Sequence, residues 1–158
     1  IDQVHNPQTS EIYSSSLIRQ NIKNGQFEKV SSLLGRNWIM KGIVIPGDQR
    51  ASKMNFPTSN ILPDMLIKPK KGVYAIRARF INEYYEGIAN FGNRPTIDGN
   101  NLLLEVHLFN FDQNIYGKEL TVEFLAFIRG EKKFDNFDLL TKQIQKDIQL
   151  VKIYHSKQ

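Results

Sequence analysis

Residues 72–91 read GVYAIRARFINEYYEGIANF, and they contain two strand-like segments separated by a short turn. In the first segment, the apolar side chains at alternate positions share one face, namely Tyr74, Ile76, Ala78 and Phe80. Arg77 and Arg79 lie on the opposite face, which is the pattern of a strand with one buried side. The second segment, Tyr84–Phe91, follows a tight turn at Ile81–Glu83. The two segments are therefore predicted to pair as an antiparallel hairpin.

Three more segments alternate in the same way, and clusters of Pro, Gly, Asn and Asp separate them: Trp38–Ile45, Leu102–Phe109 and Leu120–Ile128. In the last of these, one apolar face is expected to carry Leu120, Val122, Phe124, Ala126 and Ile128. Short strands without intervening helices favour a sheet that closes on itself over a parallel sheet covered by helices. Five or six such strands predict a mainly β fold, namely a small closed antiparallel β-barrel, and we expect the six-stranded Greek-key form.

Helical periodicity is confined to the two ends of the chain. Near the amino terminus, Ser14-Ser15-Ser16 precede apolar residues at helical spacing, and a glycine follows the segment. A second short helix is predicted from Gln26 to Leu34, again before a glycine. Near the carboxyl terminus, Asp135 or Asn136 can cap a longer amphipathic helix, whose apolar stripe is Phe137, Leu140, Ile144, Ile148 and Val151.

The composition narrows the class of protein. A chain of 158 residues, 41% hydrophobic and 23% charged, is long enough for one globular domain with its own core. Its net charge of +5 favours anionic partners, such as nucleotides or nucleic acid, without choosing among them. The absence of cysteine excludes disulfides and thiolate metal sites, and it fits a reducing compartment, so we expect a cytoplasmic location. No apolar run approaches the ~20 residues that span a bilayer, and no signal peptide is visible.

Two short polar signals lie in strand-like surroundings. Thr58 and Asn60 offer a hydroxyl and an amide oxygen, which are ligands that Mg²⁺ accepts beside nucleotide phosphates. Glu105 is a single carboxylate in the apolar segment 102–108, and it offers one general base on a rigid element. Each signal also has an ordinary explanation. A Pro-Thr-Ser-Asn string is most often a turn, and a charged residue in a strand usually faces solvent.

Other enzyme signatures are absent from the sequence. It contains no GxxxxGK[ST] phosphate loop, no GxGxxG dinucleotide fingerprint and no protein-kinase catalytic loop. The histidines His5, His107 and His155 are too far apart in sequence to have the spacing of a local zinc site. The residues taken one by one therefore leave the chemistry undecided.

The two polar signals belong to a longer series of motifs that runs from about Gly35 to Tyr154. The series also includes Gly72-Val73-Tyr74-Ala75, Asn90-Phe91-Gly92-Asn93-Arg94-Pro95-Thr96 and Arg129-Gly130-Glu131-Lys132-Lys133-Phe134. In order and spacing, it resembles the riboflavin kinase module of bacterial bifunctional FAD synthetases. The resemblance implies an ATP-dependent kinase that converts riboflavin to FMN, with Mg²⁺ bound together with ATP.

The resemblance also implies roles for individual residues. Thr58 and Asn60 match the threonine and asparagine that hold the Mg²⁺ of MgATP, with Ser59 in place of the usual alanine. Glu105 matches the catalytic glutamate, in a Glu-Val-His-Leu context. A segment that lies near the bound flavin in the family, and that begins a mobile flap, is matched by Arg129, Glu131 and Phe134.

The glycine-rich loop before the first signal departs from the family pattern. The family reads Gly-x-x-x-Gly-Arg-x-Leu-Gly, whereas this chain keeps Gly47 and replaces the later Gly, Arg and Gly by Ala51, Ser52 and Asn55. Without these glycines, the loop adopts backbone conformations with positive φ less readily. Without the arginine, it lacks a hydrogen-bond donor whose geometry suits phosphate. We expect Gly47 to contact ATP, with Arg50 or Lys53 supplying the missing charge.

The amino-terminal segment resembles a motif from the other domain of these bifunctional proteins. In the family, an Ile-Ser-Ser-Thr-x-Ile-Arg motif closes the adenylyltransferase domain and contacts nucleotide phosphates. A remnant of that motif is implied here at Ser14, Ser15, Ser16 and Arg19, with a serine-capped helix start as the alternative. We expect residues 1–35 to be the end of an upstream adenylyltransferase domain plus linker, and residues 36–158 to be the kinase domain. A chain that starts at Ile1 rather than Met is expected to be a fragment or a processed form.

Two other functions remain open at the level of sequence. A basic small barrel with ten Phe and six Tyr can bind single-stranded nucleic acid by charge and stacking. A barrel with the altered loop can also be a catalytically impaired relic that binds flavin without turnover. The kinase is the main expectation: a monomer with riboflavin and ATP as small-molecule partners, and with no nucleic acid or membrane partner.

Overall fold

The computed structural model describes residues 14–46, 58–63, 67–96 and 99–157. In this part of the chain, six strands lie between helices at the two ends. The elements are α1 (Ser15–Asn24), α2 (Phe27–Leu34), β1 (Trp38–Pro46), β2 (Ser59–Ile61), β3 (Gly72–Phe80), β4 (Glu83–Thr96), β5 (Gly99–Leu108), β6 (Glu119–Gly130) and α3 (Phe137–His155). Within these ranges, the helices are too short or too polar to cross a bilayer.

The strands form a closed antiparallel barrel in the order β1-β2-β5-β4-β3-β6. β3, β4 and β5 are successive neighbours, and β6 returns to lie beside β3, which is the Greek-key arrangement. The predicted hairpin is confirmed, because β3 and β4 pair along their length from Gly72–Phe91 to Phe80–Glu83. The barrel closes where β1 pairs with β2 on one side and β6 on the other.

The barrel interior is filled by the alternate apolar side chains that the sequence predicts. On β3, Tyr74, Ile76 and Ala78 are fully buried, whereas the two arginines of the same strand are exposed. The phenol of Tyr74 donates a hydrogen bond to the carbonyl oxygen of Lys70, and burial raises the pKa of this phenol. Large side chains of β4, β5 and β6 belong to the same cluster, among them Phe91, Leu104, Leu120 and Phe124.

Strand β6 departs from the predicted pattern in its second half. It carries one extra residue at Leu125 and another at Ile128, because its register with β3 shifts at both points. Each bulge shifts the alternation by one residue. The prediction that Ala126 and Ile128 share the inner face with Phe124 is therefore wrong. These two residues pack in the apolar cluster outside the barrel, and Phe127 packs against the interior cluster instead.

The helical hairpin α1–α2 packs into the barrel core. Ser14 caps α1 by accepting a hydrogen bond from a first-turn amide at 3.0 Å, and Gly25 and Gly35 end the two helices with φ of 76° and 68°. Phe27 is 1% exposed, and its ring lies 5.1 Å from the ring of Phe124. The domain boundary at residue 35 stays a prediction, but the packed core of the barrel extends across it.

Helix α3 packs on the outside of the barrel against β3, β4 and β6. Asn136 is its cap, since Asn136 Oδ1 accepts a hydrogen bond from the amide of Leu139 at 2.9 Å. Three residues of the predicted stripe join the outer apolar cluster, namely Ile144, Ile148 and Val151. Phe137 does not share this burial, because it lies in the first turn of the helix and is 52% exposed.

Candidate active site

Strand pairing brings predicted site residues together in one row on the outer wall of the barrel. Asn60 on β2 is the register partner of Glu105 on β5, and Glu105 is the partner of Asn90 on β4. Directly paired residues project on the same face, with Cβ atoms about 4.5–5.5 Å apart. The Asn60–Glu105–Asn90 row projects outward, because a chain neighbour on each strand is buried in the interior cluster: Ile61, Leu104 and Phe91.

Asn60 carries a buried oxygen that none of the described residues satisfies. Its side chain is 6% exposed, and its Oδ1 has no hydrogen-bond partner in the part of the chain that the structure describes. Its Nδ2 donates over a long distance, 3.5 Å, to the carbonyl oxygen of Pro46. A buried acceptor left in this way destabilises the fold unless a ligand satisfies it. Thr58 is half-buried and lies two residues earlier, so extended backbone places its hydroxyl on the same face.

These two oxygens fit a Mg²⁺ ion that is held jointly with a nucleotide. Mg²⁺ prefers oxygen ligands, keeps several waters and is commonly bound through substrate phosphates. The described residues include no group of three or more His, Asp or Glu side chains that could hold a metal ion by themselves. A hydroxyl and an amide carry no charge, so phosphates would have to supply the negative charge at this site.

Glu105 is half-buried on β5 beside an apolar surface. On the same face of β5, Leu103 is 5% exposed, and the ring of His107 lies 5.8 Å from the ring of Phe109. Simple alternation predicts that the outer wall faces solvent here. Instead, this part of the wall is partly apolar and partly buried. A carboxylate on a rigid strand, between two asparagine neighbours, can accept a proton from a bound hydroxyl.

Arg129 lies two strands beyond Asn90 and belongs to a different polar cluster. Its Nε and Nη2 donate to the carboxylate of Asp147 on α3 at 3.0 and 2.6 Å, and its Nη1 donates to the carbonyl oxygen of Gly130 at 2.8 Å. Asp147 is 2% exposed and also accepts a hydrogen bond from Gln143 at 2.8 Å. The guanidinium therefore joins the end of β6 to α3. Its role in flavin binding stays a prediction.

The chain after β6 returns to the outer face of β4. A Cβ atom built on Gly92 would overlap Oε1 of Glu131 and would lie 3.9 Å from Nδ2 of Asn90. Glu131 therefore rests against the barrel wall beside the Asn60–Glu105–Asn90 row. Phe134 is half-buried further along the same segment. The flavin-binding roles of Glu131 and Phe134 stay predictions.

The remaining predicted residues are not part of the row. The loop residues lie outside the described part of the chain, and they are Gly47, Arg50 and Lys53 together with Ala51, Ser52 and Asn55. The hydroxyl of Ser14 caps α1. The other members of the amino-terminal motif are exposed on the first turns of that helix, namely Ser15, Ser16 and Arg19.

Sequence reasoning assigned no site role to two polar residues of these clusters, although Asn90 opens one of the motifs of the series. Asn90 is the neighbour of Glu105 through strand register, which no local pattern reports. Asp147 could have been found from the sequence, because it is a carboxylate within the apolar stripe formed by Ile144 and Ile148. A charge on the buried face of a helix requires a partner, and Arg129 is that partner.

Comparison with known proteins identifies a family. The family model described as "Flavokinase: Riboflavin kinase" matches residues 34–155. The bifunctional riboflavin kinase/FMN adenylyltransferase of Haemophilus influenzae is 44% identical over 142 residues, which are 89% of this chain and 46% of that protein. The protein of the same name from Bacillus subtilis is 42% identical over 140 residues, which are 86% of this chain and 44% of that protein. The chain thus spans less than half the length of these relatives.

A solved structure shares the fold over nearly the whole chain. It is the crystal structure of a macrolide-efflux protein from Streptococcus pneumoniae, with a TM-score of 0.85, 31% identity, and coverage of 96% of this chain and 50% of that chain. The match includes half of that protein, so it supports the fold and transfers no efflux activity.

Proposed function

The chain belongs to the riboflavin kinase family, and from this premise we propose that it transfers the γ-phosphate of ATP to the ribityl 5′-hydroxyl of riboflavin. The products are FMN and ADP. The observation that supports this most directly is the Asn60–Glu105–Asn90 row, where a buried oxygen without a partner among the described residues lies beside a carboxylate. The row lies on the outer face of the barrel wall, away from the interior core.

Glu105 is the general base in this proposal. Its carboxylate accepts the proton of the 5′-hydroxyl as the hydroxyl oxygen attacks the γ-phosphorus in line with the leaving group. The new O–P bond forms while the bond from the γ-phosphorus to the β,γ-bridging oxygen breaks, and the electron pair leaves with ADP. Positioned general-base catalysis contributes about 10²–10⁴-fold, so removal of this carboxylate should affect turnover far more than stability.

Thr58 and Asn60 would hold Mg²⁺ on the nucleotide side of the row. When bound, the ion neutralises phosphate charge and orients the triphosphate. The contribution of the protein is rigid placement, because β2 carries Asn60 directly beside Glu105 in the β2–β5 ladder. From the loop that precedes Thr58 in the sequence, contacts to ATP are proposed for Gly47, Arg50 and Lys53.

The flavin side of the site is proposed to involve Arg129, Glu131 and Phe134. Arg129 acts as a positioning residue, because its guanidinium is bound to Asp147 on α3. Glu131 follows Gly130 and rests on the wall beside Asn90. In this arrangement the nucleotide and the flavin approach Glu105 from opposite sides, over β2 and over β4.

An HPLC assay of riboflavin with MgATP tests the proposed function. The wild-type chain should form FMN and ADP in equal amounts. Glu105→Gln should lower kcat by about 10²–10⁴-fold while its thermal unfolding midpoint stays unchanged. Glu119→Gln is the matched control, since Glu119 is an exposed carboxylate on β6, and this variant should turn over like the wild type. A wild-type rate for Glu105→Gln would refute the assignment of the base.

The same assay separates the kinase from an impaired flavin-binding relic. A relic would bind riboflavin without forming FMN. The loss of activity would then be attributed first to the altered loop, at Ala51, Ser52 and Asn55. The nucleic-acid alternative is not favoured, because many of the aromatic side chains that could stack on bases are buried in the barrel core, including Phe27, Tyr74, Phe91 and Phe124.

We further propose that the parent protein carries an adenylyltransferase domain upstream of this chain. The names of the relatives support this, and the chain spans less than half of their length. Residues 1–35 would be the end of that domain plus a linker, so the chain alone should not convert FMN to FAD, and robust FAD formation would contradict this. A monomeric state and a cytoplasmic location complete the proposal, and analytical ultracentrifugation can check the first of these.

A further inference from the structure

The outer wall of β4 has a glycine where the alternation places an outward side chain. Gly92 lies two residues after Asn90 on the same face, and it pairs with Leu103 on β5. Its φ is not positive, unlike that of Gly25 or Gly117, so backbone conformation does not demand glycine here. The reason for a glycine at this position lies in the space above it.

That space holds the end of another side chain. A Cβ on Gly92 would overlap Oε1 of Glu131 and would lie 3.1 Å from Cδ of Glu131 and 3.9 Å from Nδ2 of Asn90. We call this space the Gly92 recess. It brings a carboxylate and a carboxamide together next to Glu105, which is the register partner of Asn90.

We propose that Asn90 and Glu131 bind the secondary hydroxyls of the ribityl chain, and that Gly92 provides the clearance that seats Glu131 for this contact. The inference rests on the proposed kinase function and assigns a substrate group to one side of the same site. Asn90 and Glu131 would direct the terminal hydroxyl of the ribityl chain towards Glu105.

The chemistry of the recess suits a neutral polyol. A carboxylate accepts hydrogen bonds from hydroxyls, and a carboxamide both donates and accepts, so the pair can bind a chain of hydroxyl groups without a charged ligand. A negatively charged Glu131 would repel a phosphate, which separates this recess from the nucleotide side. A hydroxyl that reaches Glu105 also passes close to Asn90, because directly paired Cβ atoms lie about 4.5–5.5 Å apart.

Gly92→Ala tests the recess without breaking the fold. The added methyl group meets the flexible end of Glu131, so the carboxylate moves and the backbone does not. The Kd for riboflavin, measured by flavin fluorescence, should rise about tenfold, as expected when one hydrogen bond to a charged group is lost. Lumiflavin has the ring system of riboflavin without the ribityl chain, and it should bind Gly92→Ala and the wild type equally. Glu119→Gln is the control, because Glu119 is an exposed carboxylate on β6 outside the recess, and this variant should bind both flavins like the wild type.

A double-mutant cycle with Glu131→Ala identifies the route of the effect. If the methyl group at position 92 acts by displacing this carboxylate, Gly92→Ala should cause little further loss in the Glu131→Ala background. Additive losses would overturn the proposal. Equal weakening of riboflavin and lumiflavin would also overturn it, since the contact would then be to the ring.

Failure of this inference can be told apart from failure of the proposed function. A wild-type chain that forms FMN, while Gly92→Ala keeps wild-type affinity for riboflavin, refutes the ribityl contact and leaves the kinase intact. A wild-type chain that neither binds riboflavin nor forms FMN refutes both.

Discussion

Two buried polar side chains lie outside the barrel interior, Asn60 on β2 and Asp147 on α3, and the described residues satisfy them to different degrees. Asp147 accepts hydrogen bonds from Arg129 and Gln143, and its charge is paired. Asn60 is nearly as buried, at 6% exposure against 2%, but its Oδ1 lacks a hydrogen-bond partner among the residues described. A satisfied polar group strengthens the fold, whereas an unsatisfied one weakens it and marks a place for a ligand. The comparison thus separates the part of the wall that holds α3 from the part that is proposed to do chemistry.

The largest stability effect is expected at the satisfied cluster. Asp147→Ala removes the partner of Arg129, whose side chain is 17% exposed, and leaves its charge uncompensated. Removing one member of a buried ion pair costs about 3–5 kcal/mol, and urea unfolding should report a loss of this size. Asp138→Ala on the first turn of the same helix is the control and should cost far less. A loss below about 1 kcal/mol for Asp147→Ala would show that the ion pair does not anchor α3.

An intermediate loss of stability is expected when Tyr74 is replaced, because its buried hydroxyl has a hydrogen-bond partner but carries no charge. Tyr74→Phe removes the hydrogen bond to the carbonyl oxygen of Lys70 and keeps the ring in the core. The free energy of unfolding at pH 7 should fall by about 0.5–1.5 kcal/mol. An unchanged urea midpoint would mean that this hydrogen bond contributes nothing net.

The same residue should produce a pH dependence in alkaline solution. Burial raises the pKa of the folded Tyr74 phenol above its ordinary value near 10. The folded state then holds its proton where the unfolded state releases it, so stability is retained below about pH 10 and falls as the pH rises further. Urea unfolding of the wild type and Tyr74→Phe from pH 8 to 11 should show a steeper alkaline decline for the wild type. Parallel curves would contradict this.

The smallest stability effect is expected at Asn60. Asn60→Leu replaces an amide, whose Oδ1 has no partner among the described residues and whose Nδ2 makes one long hydrogen bond, with an apolar group of similar size. The free energy of unfolding should therefore change by less than about 1 kcal/mol or increase. The wild type should gain about 2.7 kcal/mol from MgATP at a hundredfold excess over its Kd, and the variant should lose this gain.

Asn37→Leu is the matched control for this substitution. The amide of Asn37 is satisfied, since it donates to Glu123 at 3.0 Å and accepts from Ser31 at 3.1 Å. Its loss should cost about 1–3 kcal/mol and leave MgATP stabilisation intact. If the two variants lose the same stability, an unsatisfied oxygen is no marker of a ligand site in this barrel.

Much of the fold could be predicted from sequence, because local patterns encode it. Alternation in Gly72–Phe80 predicted the strand and its inner face, although Val73 and Ala75 on its outer face are also buried, in the outer apolar cluster. The caps at Ser14 and Asn136 lie where polar side chains precede helical spacing. Two features escaped prediction. β2 has three residues and is too short for periodicity, and the bulges at Leu125 and Ile128 depend on pairing with β3.

The candidate site was harder to predict from local sequence patterns. Asn60 and Glu105 are distant in sequence and meet through the β2–β5 register, so only a family resemblance could join them beforehand. The resemblance could not show that Arg129 is bound to Asp147, because that contact depends on how α3 packs. It also gave no reason for Gly92, whose small size matters through Glu131.

Turnover and stability, measured together for Glu105→Gln and Asp147→Asn, test most directly whether the Asn60–Glu105–Asn90 row is the active site. We expect Glu105→Gln to lose about 10²–10⁴-fold in kcat for FMN formation with an unchanged urea midpoint. We expect Asp147→Asn to lose stability and, assayed below its unfolding transition, to keep kcat within about tenfold of the wild type. Loss of stability without loss of turnover in Glu105→Gln would show that the row is not the active site.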